Sequence, residues 1–325
     1  MKSALILGIT GQDGAYLTRL LLEKGYAVAG TSRDAQMANL SSLAALGVAD
    51  KVSLHSASLT DFRGLWQLIE KVEPQEIYNL AGQSSVGRSF EQPLETFESV
   101  AVATINILEL LRLLGKPARL YNACSTECFG NAPAPASEET PFRPRSPYAV
   151  AKAAACWAVS NYREAYGLYA CSGILSNHES PLRPNRFVTR KIVSTACRIA
   201  AGSGERLSLG ATNVVRDWGW AGEYVEAMWR MLQLDEPRDF VIATGKSFSL
   251  QDFTAQVFAE LGLDHTEHVD TNPGLFRPSD ILYSRTDPSK ARELLDWQAS
   301  MAMPEVVRAM IGAEQAMLSA KERCI

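Results

Sequence analysis

Short apolar runs alternate with helical patterns along the first half of the chain. Compact runs of strand length predict five β-strands, at Ser3–Leu7, Ala27–Thr31, Val52–Ser56, Glu76–Leu80 and Arg119–Ala123. Apolar residues spaced three and four apart predict helices between and after these strands, at Tyr16–Lys24, Leu65–Val72, Val102–Leu114 and Pro147–Glu164. Because strands and helices alternate, we expect an α/β fold with a doubly wound parallel sheet that helices cover on both faces.

The second half of the chain has a less regular pattern. One further apolar strand is predicted at Gly173–Leu175. Helical periodicity returns in four segments, at Val188–Ala201, Ala221–Leu232, Leu250–Leu261 and roughly Pro304–Ala320. Two loops rich in proline and arginine lie among them, at Pro181–Arg186 and Pro273–Pro278. Since no repeat or flexible linker divides the chain, its two halves are predicted to interlock.

The composition excludes several classes of protein. The 325 residues are 46% hydrophobic and 21% charged, as in ordinary globular proteins. The net charge of −4 argues against nucleic acid as the main partner, and no apolar run is long enough to make a membrane a partner. Six cysteines without ligand spacing and only four histidines predict no metal site. Reduced thiols in a cytoplasmic compartment are expected.

A glycine motif follows the first predicted strand and opens the first helix. Gly8, Gly11 and Gly14 allow a tight turn, and they let a pyrophosphate approach backbone N–H groups at the helix N-terminus. Alone, such a motif could be only a glycine-rich turn. Its position between strand and helix favours nucleotide binding.

The end of the second strand bears on the choice of cofactor. An acidic residue there usually binds the ribose hydroxyls of NAD, whereas an arginine accommodates the 2′-phosphate of NADP. The chain has Arg33 followed by Asp34. Arg33 favours NADP over NAD, and Asp34 opposes that preference. The alternative is a solvated charge pair.

A tyrosine and a lysine occur one helical turn apart, at Tyr148 and Lys152. A nearby ammonium group and a positively charged nicotinamide would lower the pKa of the phenol, so Tyr148 is predicted to act as a base in hydride chemistry. In isolation the two could be a surface pair. The strand-ending Cys124-Ser125-Thr126 that precedes them favours the catalytic interpretation.

Glu127 adds a second chemical possibility. Elimination of water needs a group that removes a proton from carbon and returns one to a leaving hydroxyl, and one carboxylic acid can do both. A solvent-exposed loop carboxylate is the alternative. Cys124 and Cys128, which flank this loop, are interpreted as small buried residues and not as nucleophiles.

Cationic residues gather in the second half of the chain. Arg183, Arg186, Arg190 and Lys191 follow the Asn177–Pro181 segment, and a cluster of this kind suits a diphosphate. Arg216 and Arg277 are further candidates for binding an anion. A solvated basic face is the alternative for each of them.

The chain resembles the GDP-mannose 4,6-dehydratase family, within the extended short-chain dehydrogenase/reductase superfamily. The resemblance extends over nearly the whole length. Its most specific motifs are GITGQDG at Gly8–Gly14, IYNL at Ile77–Leu80, PRSPY at Pro144–Tyr148, NHESP at Asn177–Pro181, FVTRK at Phe187–Lys191, RDWG at Arg216–Gly219, YVEAMW at Tyr224–Trp229 and FVIATG at Phe240–Gly245.

The resemblance implies a two-domain enzyme with a defined set of site residues. A Rossmann-type NADP domain would comprise 1–176 and about 216–245, and a smaller, mainly α domain for the GDP-sugar would comprise about 177–215 and 246–325. The implied catalytic residues are Ser125, Glu127, Tyr148 and Lys152. The implied cofactor contacts are Gly8, Thr10, Gly11, Gln12, Asp13, Gly14, Arg33, Ser58, Leu59, Leu80, Ala81, Gln83, Ser84, Tyr148, Lys152, His178 and Arg183. The implied substrate contacts are Ser84, Asn177, Val188, Lys191, Arg216 and Arg277.

Four positions depart from the family pattern. Ser125 stands where threonine is usual and keeps the hydroxyl. Arg33-Asp34 replaces a pair of arginines, Ser58 replaces an aspartate near the adenine, and Glu95 replaces a tyrosine beside the cofactor. The predicted cofactor pocket therefore differs from the pattern more than the catalytic loop does.

The expected reaction is the dehydration of GDP-D-mannose to GDP-4-keto-6-deoxy-D-mannose, with tightly bound NADP recycled in each turnover. The expected assembly is a homodimer or homotetramer. Three alternatives stay open: a 4,6-dehydratase of another GDP-hexose such as GDP-N-acetylglucosamine, a C4-epimerase or reductase, and a non-catalytic NADP-binding protein. Epimerases and reductases need no carboxylate at Glu127, so that residue favours the dehydratase.

Overall fold

The computed structural model of the protein describes residues 1–322. The strands of this part of the chain are β1 (Ser3–Leu7), β2 (Ala27–Ser32), β3 (Ser53–Ser56), β4 (Glu76–Asn79), β5 (Arg119–Ser125), β6 (Ala170–Leu175), β7 (Asn177–Glu179), β8 (Leu207–Leu209), β9 (Val215–Trp220), β10 (Phe240–Ile242), β11 (Ser247–Ser249) and β12 (Val269–Thr271). The α-helices are α1 (Gln12–Glu23), α2 (Ser41–Ala45), α3 (Phe62–Val72), α4 (Val86–Glu91), α5 (Pro93–Phe97), α6 (Ala103–Leu114), α7 (Pro147–Tyr166), α8 (Val188–Ala200), α9 (Ala221–Met231), α10 (Leu250–Glu260), α11 (His265–His268), α12 (Ser289–Leu295) and α13 (Met303–Glu322).

Seven strands form one parallel sheet in the order β3-β2-β1-β4-β5-β6-β10. Side chains alternate between its faces, so Ile6 and Tyr78 are buried on one face of the sheet and Leu5 and Ile77 on the other. The chain runs outward from β1 to β3 and then returns to place β4 on the other side of β1. This reversal opens a crevice at the carboxyl ends of the strands, where ligands bind in sheets of this kind.

A second core lies away from the sheet, among α8, α10 and α13. Ile192, Phe253, Phe258, Val307 and Met310 are all buried in it. Two small sheets stand beside these helices, one with the order β11-β9-β7 and one that pairs β12 with β8. The predicted domain boundaries stay a prediction, although a separate mainly helical core is what a second domain would need.

The sequence pattern located the strands and the longer helices of the first half within a few residues, and it missed the short helices α2, α4 and α5. Helix α1 begins at Gln12 and not at Tyr16, because the glycine turn leads directly into the helix. Helix α3 begins at Phe62, three residues early, since the side chain of Asp61 caps it by accepting from Gly64 N at 3.1 Å. The pattern missed the three-residue strands, whose length is too short to show a period, and it began β6 at Gly173 instead of Ala170.

Candidate active site

One cavity of ≈ 980 Å³ opens at the carboxyl ends of β1, β2, β4, β5 and β6. All the cofactor, substrate and catalytic residues that the family resemblance implies line this cavity. They come from loops that are far apart in sequence. The fold therefore brings this implied set together.

The glycine turn after β1 gives the cavity a close-fitting backbone wall. Gly8 has a φ of +86°, and a Cβ on it would lie 3.0 Å from the backbone of Ala81. A Cβ on Gly14 would lie 2.5 Å from the carbonyl oxygen of Gly8, inside any allowed contact. The first position needs glycine for its backbone conformation and the second for packing of α1 on the turn.

A buried ion pair joins the glycine turn to the loop after β6. His178 Nε2 lies 2.9 Å from Asp13 Oδ2, and His178 Nδ1 lies 2.8 Å from the carbonyl oxygen of Ser176. Burial alone would raise the pKa of Asp13 and lower that of His178, but their pairing reverses both shifts. Arg183 donates to the carbonyl oxygen of His178 at 2.8 Å. These bonds hold two walls of the cavity together.

The end of β5 presents two of the catalytic candidates. Ser125 caps the short 3₁₀ turn Thr126–Phe129, and its Oγ accepts from Glu127 N at 3.3 Å. Cys124 and Cys128 lie behind this turn with their sulfurs 3.7 Å apart, and both are buried. They pack as small apolar residues, as predicted.

Helix α7 brings the tyrosine and the lysine to the same cavity. It begins at Pro147 after Ser146, whose side chain accepts from Ala149 N at 3.1 Å. Lys152 Nζ donates to the carbonyl oxygen of Ala123 at 2.7 Å and lies 5.9 Å from the centroid of the Tyr148 ring. The backbone of β5 therefore fixes the ammonium group beside the phenol.

The expected low pKa of Tyr148 is not found in the protein alone. Burial raises the pKa of Tyr148 well above its ordinary value, and the Ser125 hydroxyl opposes this only in part. Burial also lowers the pKa of Lys152. The predicted lowering rests on a bound nicotinamide as well as on Lys152, so a lowered pKa of Tyr148 in the complex stays a prediction.

Glu127 faces an arginine from another element. Its Oε1 lies 3.5 Å from Arg216 Nε, and both side chains are largely buried. Arg216 Nη2 lies 3.0 Å from Asp280 Oδ1, and Arg277 Nη1 lies 3.3 Å from the same oxygen. Two acids and two guanidinium groups thus meet at one wall of the cavity. This wall can exchange a proton at Glu127 and present positive charge at Arg277.

Known proteins resemble this chain over nearly its whole length. A family model described as GDP-mannose 4,6 dehydratase matches residues 5–310. The chain belongs to the GDP-mannose 4,6-dehydratase family. GDP-mannose 4,6 dehydratase 1 of Arabidopsis thaliana is 45% identical over 320 residues, which cover 95% of this chain and 89% of the relative. GDP-mannose 4,6-dehydratase of Yersinia enterocolitica is 41% identical over 349 residues, covering 97% and 94%.

Solved structures of related enzymes share the fold. UDP-glucose 4-epimerase of Thermus thermophilus, in complex with NAD, has a TM-score of 0.84 at 25% identity and covers 96% of this chain and 99% of that one. dTDP-glucose 4,6-dehydratase of Bacillus anthracis, in complex with NAD, has a TM-score of 0.85 at 18% identity, with 97% of each chain covered. The α/β Rossmann-type fold predicted for this GDP-mannose 4,6-dehydratase family member is confirmed.

The cationic residues of the loop after β7 and of the first turn of α8 have different surroundings. Lys191 lines the cavity, and its Nζ donates to the carbonyl oxygen of Ser208 at 2.7 Å. Arg186 also lines it, 5.0 Å from the ring centroid of Phe187. Arg190 is instead buried in an ion pair with Glu314 of α13. Its assignment to a diphosphate site was wrong, because α8 turns this residue toward the second core.

Sequence analysis missed several residues of the cavity wall. Arg88 of α4, Glu98, Ser208 and Asp280 all line it. None belongs to a motif that chemistry singles out. Only Asp280 could have been found from the sequence, because it lies three residues after Arg277, a candidate anion-binding arginine. An acid at that spacing suggests an ion-pair partner for the arginine.

The described cysteines form no disulfide. Cys124, Cys128, Cys156, Cys171 and Cys197 are unpaired and buried, and Cys324 lies outside the described residues. Within residues 1–322, no group of histidine, cysteine and acidic side chains is placed to hold a metal ion. No helix in this same part of the chain is long and apolar enough to cross a bilayer.

Proposed function

We propose that the protein converts GDP-D-mannose to GDP-4-keto-6-deoxy-D-mannose with loss of one water molecule. The observation that carries this proposal is the presence of the Glu127 carboxylate in the same cavity as Tyr148 and Lys152. A reductase or epimerase of this fold has no use for such an acid. The relatives at 40–45% identity bear the name of the same dehydratase activity, which supports the same conclusion.

The cofactor of this proposal is NADP, held along the glycine turn. The close approach of Gly8 to Ala81 and the tight packing at Gly14 fit a pyrophosphate lying against backbone N–H groups. Arg33 is exposed at the end of β2 and lines the cavity, where its guanidinium group would bind the 2′-phosphate. Ser58, Leu59, Leu80, Ala81, Gln83 and Ser84 would surround the rest of the nucleotide. When bound, the nicotinamide would supply the acceptor for the hydride from C4 of the sugar and the donor for its return to C6.

Different side chains around the sugar carry out the separate proton transfers. Tyr148 removes the proton from the 4-hydroxyl, and Lys152 holds the ribose while its charge favours the phenolate. Ser125 hydrogen-bonds to the oxygen at C4. The ketone there acidifies C5–H, so that Glu127 can take this proton and then protonate the departing 6-hydroxyl. After hydride has returned to C6, C5 takes up a proton, and the proton that Tyr148 gained from the 4-hydroxyl balances this uptake.

Cations on the cavity wall that includes Arg277 would bind the GDP part of the substrate. Lys191 and Arg277 line this wall together with Asn177 and Val188. Arg277 keeps a third of its side chain exposed beside Asp280, so its guanidinium group can still reach a phosphate. We assign the diphosphate to this wall, next to the helical second core, which we propose as the GDP-sugar domain within about 177–215 and 246–325.

The proposed assembly is a homodimer or a homotetramer. Large apolar side chains of three neighbouring helices face solvent: Leu94 and Phe97 of α5, Ile105 of α6, and Val150 and Trp157 of α7. An apolar surface of this kind usually marks contact with another protein chain. The molar mass in solution, measured by light scattering, tests the assembly, and a monomer would contradict it.

Redox balance tests the proposed reaction. With GDP-mannose and NADP⁺, the protein should remove water from the sugar, detected by mass spectrometry, without net growth of NADPH absorbance. A stoichiometric rise in NADPH would indicate a simple dehydrogenase and contradict the proposal. A panel of GDP-hexoses in the same assay distinguishes mannose from N-acetylglucosamine, and parallel assays with NAD⁺ test the cofactor.

A further inference from the structure

Asp280 binds two arginines at the cavity wall. Its Oδ1 accepts from Arg216 Nη2 at 3.0 Å and from Arg277 Nη1 at 3.3 Å. The N–H group of Ile281 donates to the same oxygen at 2.9 Å and so fixes the direction of the carboxylate. One oxygen atom therefore connects the loop after β12 with β9.

Arg216 is held from several sides and has little freedom to turn. Its Nη1 donates to the carbonyl oxygens of Ile281 at 2.7 Å and Val215 at 2.9 Å. The residue is only 6% exposed. With Nη1 and Nη2 bound in this way, Nε is left facing Glu127 at 3.5 Å, too far for a hydrogen bond that would engage the carboxylate fully.

The charges of this cluster balance. Glu127 and Asp280 carry two negative charges, and Arg216 and Arg277 carry two positive ones. Without the charge of Asp280, Arg216 would lose its nearest acid and Glu127 would become its remaining partner. A guanidinium group that turned toward Glu127 would occupy the oxygen that must accept the C5 proton.

We propose that Asp280 is a positioning residue for the elimination step: it holds Arg216 at a distance that leaves Glu127 free to exchange its proton. This inference rests on the proposed dehydratase function. Asp280 does not need to touch the sugar for this role. It acts through Arg216, and C4 oxidation by Tyr148 does not depend on it.

The test compares Asp280→Asn with Asp270→Asn in the full-length protein with NADP⁺ and GDP-mannose. Asp270 is a matched control, because it pairs with Arg206 at 2.7 Å on the surface and both side chains are about half exposed. Asp280→Asn should lower kcat for water loss by about tenfold or more, with KM changed by less than about threefold. NADPH absorbance should rise during a single turnover, since oxidation continues while elimination is slow. Asp270→Asn should match the wild type.

Two additional variants separate positioning from folding. Asp280→Glu keeps the charge and should recover a large part of kcat, whereas loss of structure alone would not be rescued by charge. If circular dichroism shows that Asp280→Asn does not fold, Asp280→Ser is tested in its place.

The outcomes distinguish this inference from the function on which it rests. A higher KM with unchanged kcat would mean that Asp280 serves only Arg277 and GDP binding, and would overturn the inference. Equal loss of oxidation and elimination, without NADPH accumulation, would also overturn it. A wild-type protein that dehydrates no GDP-hexose would overturn the proposed function and this inference together.

Discussion

Replacement of Glu127 by glutamine separates the two halves of the proposed reaction. Glutamine has the same shape but cannot take a proton from C5. The backbone N–H of residue 127 would still donate to Ser125 Oγ, and Asp280 would still pair with Arg216. We therefore expect Glu127→Gln to fold, because Arg216 keeps Asp280 as its acidic partner.

The size of the catalytic effect follows from the chemistry that is removed. A positioned general acid or base contributes about 10²- to 10⁴-fold, which corresponds to about 3–5 kcal/mol of transition-state stabilisation. Glu127 is the acidic side chain at the end of β5, and it would act both as the base at C5 and as the acid at the 6-hydroxyl. The expected loss in dehydration is therefore at least about 100-fold.

Stopped-flow absorbance and mass spectrometry of the product measure the two halves separately. Glu127→Gln should accumulate NADPH, because Tyr148 still supports oxidation at C4. Tyr148→Phe should give neither NADPH nor product, since oxidation comes first. If Glu127→Gln dehydrates GDP-mannose within about tenfold of the wild type, a difference of about 1.4 kcal/mol, the acid–base role of Glu127 is refuted.

Three further predictions concern the cofactor and the stability of the fold. Arg33→Ala should weaken NADP(H) binding by about 1.5–3 kcal/mol and NAD(H) binding far less, measured by titration calorimetry. Equal losses would show that Arg33 is structural. Asp34→Asn should strengthen NADP(H) binding, because it removes a like charge from the phosphate and keeps the oxygen that accepts from two loop N–H groups. Burial raises the pKa of Asp217 from 3.8 to about 6, so the folded protein binds this proton more tightly than the unfolded chain. The contribution of Asp217 to the free energy of unfolding should therefore decrease by up to about 3 kcal/mol as the pH rises from about 4 to above about 6. Asp217→Asn should flatten this dependence in urea unfolding, and an unchanged slope would contradict the pKa assignment.

The first half of the fold was predictable because its strands are apolar and its helices amphipathic. Strand β9 was not predictable, because its buried residues include Arg216 and Asp217. Two charged residues at buried positions interrupt the apolar pattern that identifies a strand. In the folded protein, Asp280 and two backbone carbonyls compensate the charge of Arg216, and two backbone N–H groups compensate that of Asp217. Partners so far away in the chain leave no local signal.

The candidate site divides in the same way. Glycines, the tyrosine–lysine pair and Glu127 follow strands or open helices, so their positions could be inferred from spacing. The pKa of Tyr148 in the protein alone could not be inferred in this way, because it depends on burial that several segments of the chain create together. Arg190 was misplaced for a related reason: its direction depends on where α13 packs, and its partner Glu314 lies near the end of the chain.

The late position of β10 has a consequence for synthesis on the ribosome. Six strands of the main sheet are complete by Leu175, but β6 acquires its outer neighbour only when Phe240–Ile242 has been made. Until then β6 is an edge strand with buried-type residues and unpaired backbone groups, a surface prone to pairing with other chains. A nascent or truncated chain that ends between these strands should therefore be prone to aggregation. Chaperone binding to ribosome-bound chains of this length would be the corresponding observation.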